Sequence, residues 1–98
     1  MLLFEWDSNK ARINIRVHQV SFDEASTAFG DPLSLTIYDT QHSERENRFI
    51  LIGNSYTNRI LVVVHIEQGE YIRLISARKA TMNERKQYEE NAKRRKYA

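Results

Sequence analysis

The stretch that decides the fold reads Arg73-Leu74-Ile75-Ser76-Ala77-Arg78-Lys79-Ala80-Thr81-Met82-Asn83-Glu84. Its first half belongs to an apolar strand pattern over 71–77, rich in the branched residues that suit a pleated sheet. Thr81 with Glu84 three residues later is a capping box, which predicts that a helix begins there. Arg73 and Arg78 therefore lie on and just beyond a rigid element, where a held guanidinium suits bidentate binding of phosphate or carboxylate.

Outward from this stretch, the apolar spacing and the caps divide the chain into alternating elements. Asp7 is a predicted N-cap, and Gly30 with Pro32 stops the second helix. The predicted strands cover 2–6, 33–37, 48–53, 59–66 and 71–77, and the predicted helices cover 8–17, 22–29 and 81–96.

The first two helices carry specific local predictions. Ala11, Ile15 and His18 lie at i, i+4 and i+7 and are expected to form the inward face of the first helix, with Asn14 on its flank. Ser21 and Glu24 form a second capping box. The predicted second helix places Phe22, Ala25 and Phe29 on one face.

The order β-α-α-β-β-β-β-α predicts an α+β fold. Four successive strands with short links form an antiparallel β-sheet, the two N-terminal helices pack on one face, and a C-terminal helix follows. The other face must be covered by that last helix, a partner chain or a ligand. A length of 98 residues predicts one domain over 1–98.

Composition restricts the function further. The chain has no cysteine, which excludes thiolate catalysis and cysteine zinc sites. The start meets an acidic residue at Glu5 without a basic segment, and the longest apolar run, 60–64, is far shorter than a membrane span, so we expect a cytoplasmic protein. Six basic and two acidic residues lie in 85–98, although the whole chain carries only +2, and this cationic end suits either a polyanion partner or a solvated helix end.

The sequence predicts no metal site and no cofactor. Its histidines, His18, His42 and His65, lie far apart, and its three glycines form no phosphate loop. Candidates for chemistry are the arginines of the predicted sheet, Arg48, Arg59, Arg73 and Arg78. Strand alternation places Arg73 and Arg78 on opposite faces unless a bend or bulge at Ser76 and Ala77 intervenes. For each arginine taken alone, the sequence favours a solvated face or an ion pair with Glu46, Glu67, Glu70 or Glu84 over a functional role.

Two other side chains are candidates for the site. His18 can act as a general acid or base because histidine exchanges its proton near neutral pH, or it can be a hydrogen-bonded structural residue, with Asn14 one turn earlier to hold its tautomer. Tyr88 is expected to anchor the last helix, and its hydroxyl is a candidate for contacting substrate.

Several motifs together resemble a known family over residues 4–90. They are Phe4-Glu5-Trp6-Asp7 with Lys10 and Asn14, His18, Val20-Ser21-Phe22 with Glu24-Ala25, Phe29 with Asp31-Pro32-Leu33, Arg48-Phe49, Ile52-Gly53, Leu61-Val62-Val63-Val64-His65, Ile72-Arg73-Leu74-Ile75-Ser76-Ala77-Arg78-Lys79-Ala80, Glu84-Arg85 and Tyr88-Glu89. In this order they resemble a BrnT-type toxin of a bacterial type II toxin–antitoxin system.

The resemblance implies a RelE-like fold and a small ribonuclease that blocks translation by cutting RNA. It also implies a ribbon-helix-helix antitoxin, BrnA, through which the complex reaches DNA. The family usually has Lys-His-Gly where this chain has Val17-His18-Gln19. One cation beside His18 is therefore missing, and Gln19 needs a way other than glycine to end the first helix.

The leading interpretation is a metal-independent endoribonuclease in which the substrate's own 2′-hydroxyl attacks the phosphate. Arg73 and Arg78 are expected to bind that phosphate, Arg48 or Arg59 to supply a third cation, and His18 to transfer a proton. Further contacts to substrate are expected from Lys10, Arg59 and Tyr88. The alternative is a non-catalytic module whose arginine face binds RNA or an acidic peptide in complex with its partner.

Overall fold

The structure, a computed structural model, describes residues 2–41 and 47–97. The elements, in chain order, are β1 Leu3–Glu5, α1 Ser8–His18, α2 Phe22–Thr27, a 3₁₀ turn Ala28–Gly30, β2 Leu35–Tyr38, β3 Arg48–Asn54, β4 Ile60–Gln68, β5 Tyr71–Lys79 and α3 Met82–Tyr97. The predicted α+β class and the predicted order of helices and strands are confirmed. None of the helices in these ranges has the length and apolarity that crossing a membrane requires.

The five strands form one sheet in the order β1-β5-β4-β3-β2. The meander β2 to β5 is antiparallel as predicted, with hairpin pairing between successive strands. β1 was not assigned to a neighbour from the sequence, and it pairs parallel to β5, with Glu5 beside Arg73. The sheet is therefore mixed. Because β1 has only three residues, most of the outer edge of β5 is left without a neighbouring strand.

The helices divide between the two faces of the sheet. α1 and α2 cover the face that holds the main core, formed by Val20, Phe22, Ala25, Leu61, Val63, Ile72, Leu74 and Ala77. α3 lies on the opposite face, where Tyr88 packs with Ile52 and Val62. The prediction of two early helices on one face is confirmed, and α3 supplies part of the cover for the other.

α3 is attached mainly by polar contacts because its sequence is almost entirely hydrophilic. The Tyr88 hydroxyl donates to Asp31 Oδ2 at 2.5 Å, and burial together with this carboxylate raises the pKa of Tyr88 to about 12. Near the other end of the helix, Arg95 Nη1 donates to the Ser34 carbonyl at 2.8 Å. Tyr88 is therefore the anchor that the sequence predicts.

The capping box that begins α3 is present in full. The Thr81 N–H donates to Glu84 Oε1 at 2.8 Å, and the Glu84 N–H donates to Thr81 Oγ1 at 3.3 Å. These reciprocal bonds satisfy two of the N–H groups that a helix start leaves unpaired. The last strand and the last helix are thus joined by a short connection of fixed geometry.

The predicted inward face of α1 is wrong at Ile15, whose side chain is 51% exposed. The residue that turns inward is Asn14, which is 5% exposed. α1 lies against the open edge of β5, where unpaired backbone groups need hydrogen bonds. An amide meets this need and an aliphatic side chain does not.

The second predicted capping box is only half formed. Ser21 Oγ accepts from the Glu24 N–H at 3.0 Å, but the Glu24 carboxylate does not return to Ser21. It lies instead among Ser55, Thr57 and Arg59 at the turn between β3 and β4. A cation and two hydroxyl donors bind the carboxylate more strongly than one backbone N–H does.

Gln19 ends α1 in the manner of the glycine that the family usually has there. Its backbone adopts the left-handed conformation, with φ 57°, and its N–H donates to the Ile15 carbonyl at 2.9 Å. Its side-chain amide donates to the Arg16 carbonyl at 3.1 Å. This extra bond to the exposed helix end offsets part of the steric cost of a left-handed non-glycine residue.

Replacing Asn14 with alanine is expected to lower the free energy of unfolding by about 3 kcal/mol, because buried backbone groups of β5 would lose their partners. Urea unfolding measures the change. Asn9→Ala, on the exposed side of the same helix, serves as the control and should change stability by less than about 0.5 kcal/mol. Equal effects of the two substitutions would contradict a structural role for the Asn14 amide.

Candidate active site

A β-bulge in β5 determines which side chains share a face. Val64 of β4 pairs with Ser76, and the next residue, His65, pairs with Leu74, so Ile75 has no partner. The extra residue reverses the alternation of side chains beyond it. From the sequence, the two arginines share a face only if a bend or bulge intervenes at Ser76 and Ala77, and the structure has the bulge one residue earlier, at Ile75.

The bulge brings Arg73 and Arg78 to the same face of the sheet. Arg73 pairs with Ile66 and Arg78 pairs with Val62, and residues at even steps along β4 project from one side. The buried positions of β5 agree, because the interval from Leu74 to Ala77 is three residues where a regular strand would have two or four. Both arginines therefore project away from α1 and α2.

Asn14 joins α1 to the part of β5 that β1 does not reach. Its side-chain Nδ2 donates to the Ala77 carbonyl at 2.8 Å, and its Oδ1 accepts from the Ala77 N–H at 3.0 Å. Nδ2 also donates to the Val20 carbonyl at 2.9 Å. The amide thus makes the two backbone bonds that a neighbouring strand would make. Its hydrogen bonds go to backbone and none to His18, so the predicted role in holding the His18 tautomer is wrong.

A groove of about 290 Å³ lies between α1 and the edge of β5. Its lining residues are Lys10, Ile13, Asn14, Val17, His18, Ile75 and Ser76. Two residues predicted for the site, Lys10 and His18, are brought together here, one turn before and one turn after Asn14. Arg73 precedes this part of β5 by two residues and Arg78 follows it by two.

The two flanking arginines differ in how firmly they are held. Arg78 makes a bidentate pair with Glu84, with Nη1–Oε1 2.7 Å and Nη2–Oε2 2.8 Å. This pair lowers the pKa of Glu84 to about 2 and raises that of Arg78. Arg73 Nη1 lies 3.7 Å from Glu5 Oε1, and both side chains are about two-fifths exposed. Such a pair contributes little, so Arg73 can readily exchange Glu5 for an anionic ligand.

Arg48 lies in the same row of the sheet as Arg73. It pairs with Ile66 across β3 and β4, and Ile66 in turn pairs with Arg73. The two arginines therefore project from one face, with Cα atoms about 10 Å apart, which is two strand spacings. Arg48 is thus aligned with the flanking arginines but lies farther from the groove.

Arg59 is directed away from the groove by the Glu24 carboxylate. Arg59 Nε donates to Glu24 Oε2 at 2.9 Å, and Nη2 contacts Oε1 and donates to the Gln19 carbonyl at 3.1 Å. Arg59, with smaller help from Thr57 and Ser55, outweighs burial and lowers the pKa of Glu24 to about 2. The structure gives Arg59 a clear part in the scaffold, and brings neither Arg59 nor the buried Tyr88 hydroxyl to the groove.

Within 2–41 and 47–97, no three His, Asp or Glu side chains come together as a metal centre would require. His65 is fully buried, with Nε2 3.0 Å from Glu67 Oε2 and its ring stacked on Phe49. His42 lies outside the described residues. His18 is therefore the one described histidine that lines the groove.

The chain matches a known protein family over most of its length. A family model described as "Ribonuclease toxin, BrnT, of type II toxin-antitoxin system" matches residues 6–84, which include the groove, the bulge and both flanking arginines. The chain belongs to the BrnT family. The family resemblance seen in the sequence is thereby confirmed, and the family consists of ribonuclease toxins of type II toxin–antitoxin systems.

The fold also agrees with a solved member of the BrnT family. The crystal structure of the Brucella abortus ribonuclease toxin BrnT matches with a TM-score of 0.64 and 20% sequence identity, covering 84% of this chain and all of that chain. At this identity the likeness establishes the fold alone. Among curated proteins, none matches the chain in sequence.

Sequence reasoning missed two features that shape the groove. The sequence predicts Asn14 on the flank of its helix. Its position between Ala11 and His18, which both turn inward, is a signal that could have indicated a buried polar contact. The unpaired position of Ile75 has no local signal, because isoleucine is typical of a regular strand. Glu5 and Ser76 also reach the site region without having been predicted.

Replacing Glu24 with glutamine is expected to lower the free energy of unfolding by about 3 kcal/mol near neutral pH, because Arg59 would keep its charge without its carboxylate. In the wild type, the unfolded chain binds a proton at Glu24 below pH 4.5 while the folded chain resists protonation down to about pH 2. Stability should therefore fall through this interval as the pH drops, and less steeply in the variant.

Urea unfolding at several pH values measures both effects. Glu90→Gln, on the exposed side of α3, is the matched control and should leave the acid limb unchanged. A variant with the same pH dependence as the wild type would show that Glu24 does not carry this stability.

Proposed function

We propose that this protein is a toxin that cuts RNA in the groove along β5 and so blocks translation in the cytoplasm. The observation that carries the proposal is the bulge at Ile75, which sets Arg73 and Arg78 on one face, two residues before and two residues after the part of β5 that lines the groove with Lys10 and His18. The ribonuclease description of the BrnT family supports the same reaction. Cations around an open strand edge suit a flexible single strand of RNA.

The reaction uses the substrate's 2′-hydroxyl as the nucleophile. His18 takes the proton of this hydroxyl as the 2′-oxygen bonds to phosphorus, and the bond from phosphorus to the 5′-oxygen breaks. Solvent water gives a proton to the leaving oxygen, which yields a 5′-hydroxyl and a 2′,3′-cyclic phosphate, and His18 returns its proton to solvent. Lys10, Arg73 and Arg78 stabilise the charge that grows on the phosphate oxygens.

Arg73→Ala is the sharpest test of this site, since the ion pair that holds Arg73 among the described residues is the weak one with Glu5. We expect RNA cleavage to fall by about 10²–10³ while the free energy of unfolding changes little. Arg78→Ala should fall similarly in activity, but it also removes the partner of Glu84 and should lose stability. Cleavage of a fluorescent RNA and growth inhibition on expression measure activity.

Arg12→Ala provides a control arginine on the exposed side of α1. It should cut RNA at the wild-type rate. If Arg73→Ala and Arg78→Ala also do so, the site lies elsewhere, and if the wild type binds RNA without cutting it, the protein is the non-catalytic binding module that the sequence also permits.

The cleavage is proposed to need no metal ion, because the 2′-hydroxyl supplies the nucleophile and arginines supply the positive charge. EDTA is expected to leave the cleavage rate within about twofold of the untreated enzyme. An RNase that requires Mg²⁺, assayed in parallel, shows that the chelation is complete. Loss of cleavage in EDTA that added Mg²⁺ restores would contradict the proposal.

The antitoxin is proposed to be a BrnA-like ribbon-helix-helix protein that covers the arginine face and links the toxin to DNA. α3 leaves part of this face uncovered, where Ile37 is exposed and Ile50 and Val64 are partly exposed. Apolar surface beside Arg73 and Arg78 suits a partner segment with both apolar and acidic side chains.

Arg73→Glu is expected to weaken antitoxin binding at least tenfold and to make association less sensitive to salt, because a steering charge is reversed. Stopped-flow association and equilibrium titration with the purified antitoxin measure both quantities. Arg12→Glu controls for the change in net charge. Equal affinities for the wild type and Arg73→Glu would exclude direct masking of Arg73.

A further inference from the structure

A second cationic pocket lies at the end of the sheet where β4 begins and β5 ends. It has a volume of about 230 Å³ and is separate from the groove beside α1. Its lining residues are Asn58, Arg59, Ile60, Lys79, Ala80 and Arg85. Three of these six carry positive charge, and none carries negative charge.

The charges of this pocket are only partly neutralised. Arg59 is bound by Glu24, and this pair fixes its position. Arg85 has one loose contact, Nε to Glu89 Oε1 at 3.5 Å, between two well exposed side chains. In the described ranges no carboxylate lies within 4 Å of the Lys79 ammonium. Lys79 and Arg85 therefore remain available to an anion.

The walls of the pocket are held in place by backbone contacts. The Ala80 N–H donates to the Ile60 carbonyl at 2.9 Å, which joins the end of β5 to the start of β4. Asn58 adopts a left-handed conformation, with φ 63°, and its N–H donates to the Ser55 carbonyl at 2.9 Å. The pocket is thus formed before any ligand arrives, which lowers the entropic cost of binding.

The position of the pocket relates it to the proposed site of cleavage. Lys79 follows Ser76, a residue of the groove, by three positions along β5, which is about 10 Å in a strand. Gln19, whose carbonyl binds Arg59, follows His18 directly at the end of α1. The groove therefore lies along the side of β5, and the pocket lies beyond it, at the end of the same strand.

We propose that this pocket binds a phosphate of the RNA strand next to the phosphate that is cut. The inference rests on the proposed function, because it extends the path of the same substrate. A phosphate group presents several acceptor oxygens in different directions, and the Lys79 ammonium and the Arg85 guanidinium approach from two separate elements, β5 and α3. A phosphate is common to every nucleotide, so the contact is independent of sequence.

A contact away from the reacting phosphate acts equally on the bound substrate and on the transition state. Removing it should therefore raise KM and leave kcat unchanged. This separates the pocket from Arg73, whose loss should lower kcat. It also separates the pocket from a structural role, because the exposed side chains of Lys79 and Arg85 can be removed from a protein that stays folded.

The test compares Lys79→Ala, Arg85→Ala and the double variant with Lys86→Ala, an exposed cation next to Arg85 that does not line the pocket. Fluorescence anisotropy with an RNA whose cleavage position carries a 2′-deoxy sugar measures binding without cleavage. Each pocket variant should raise Kd by roughly three- to tenfold, and should reduce the slope of log Kd against log salt by about 0.7. Lys86→Ala should match the wild type.

Cleavage kinetics on the unmodified RNA supply the second readout, with KM expected to rise and kcat to stay constant. Inorganic phosphate and a mononucleotide, added as competitors, distinguish a site for free phosphate from a site that needs the polynucleotide. Full displacement of RNA by either at equal concentration would overturn the proposal. So would wild-type Kd and salt slope in the double variant, a fall in kcat alone, or a defect confined to antitoxin binding.

This design also separates the inference from the proposed function. If the wild type cuts no RNA, the proposed function fails, while the anisotropy with 2′-deoxy RNA still decides whether the pocket binds a nucleic-acid backbone. If the wild type cuts RNA and the pocket variants behave as the wild type in both assays, only the pocket assignment fails.

Discussion

The structure depends on the side-chain amide of Asn14, which makes the two backbone hydrogen bonds that a neighbouring strand would make. β1 accompanies β5 only as far as Arg73, and the backbone of Ala77 would otherwise face α1 with unpaired groups. Asn14 supplies a donor and an acceptor at the right spacing and so fixes α1 along the strand edge. Lys10 and His18, one turn away in each direction, are positioned by the same bonds. The groove is a consequence of this attachment.

Much of the fold could be predicted from local chemistry, but the pairing between distant segments could not. The complete capping box at Thr81, the Ser21 cap of α2 and the order of elements followed from residues within one turn of each other. The parallel pairing of β1 and the bulge at Ile75 are defined only by the partner strand, so no residue close to them in sequence predicts them. Likewise the sequence around Glu24 matches a capping box, but the Glu24 carboxylate binds a stronger partner, Arg59, which lies 35 residues away.

For the candidate site, residue types were easier to predict than their surroundings. Arg48, Arg73 and Arg78 lie on strands as expected, and Arg59 lies one residue before β4. Arg59 and Arg78 are each held by two bonds to a carboxylate, whereas the neighbour of Arg73 is more distant and exposed to solvent. The difference is one of desolvation: a guanidinium already bound by a partly buried carboxylate loses a strong contact when a ligand takes its place. Arg73 loses only a weak contact with Glu5 when it binds a ligand. The sequence shows which residues are charged, whereas the packing of the folded chain determines which of these charges can bind a ligand.

The Glu84 carboxylate takes part in two interactions at once, since it accepts from the guanidinium of Arg78 and from the N–H of Thr81, the residue that precedes α3. Occupancy of the arginine and order in the helix are therefore linked quantities, and linkage is reciprocal. A phosphate that draws Arg78 away leaves α3 with a less constrained first turn, and a ligand that tightens this turn makes Arg78 harder to recruit by the same free energy. The rate of amide exchange at Thr81 should therefore depend on whether Arg78 is bound to Glu84 or to a ligand.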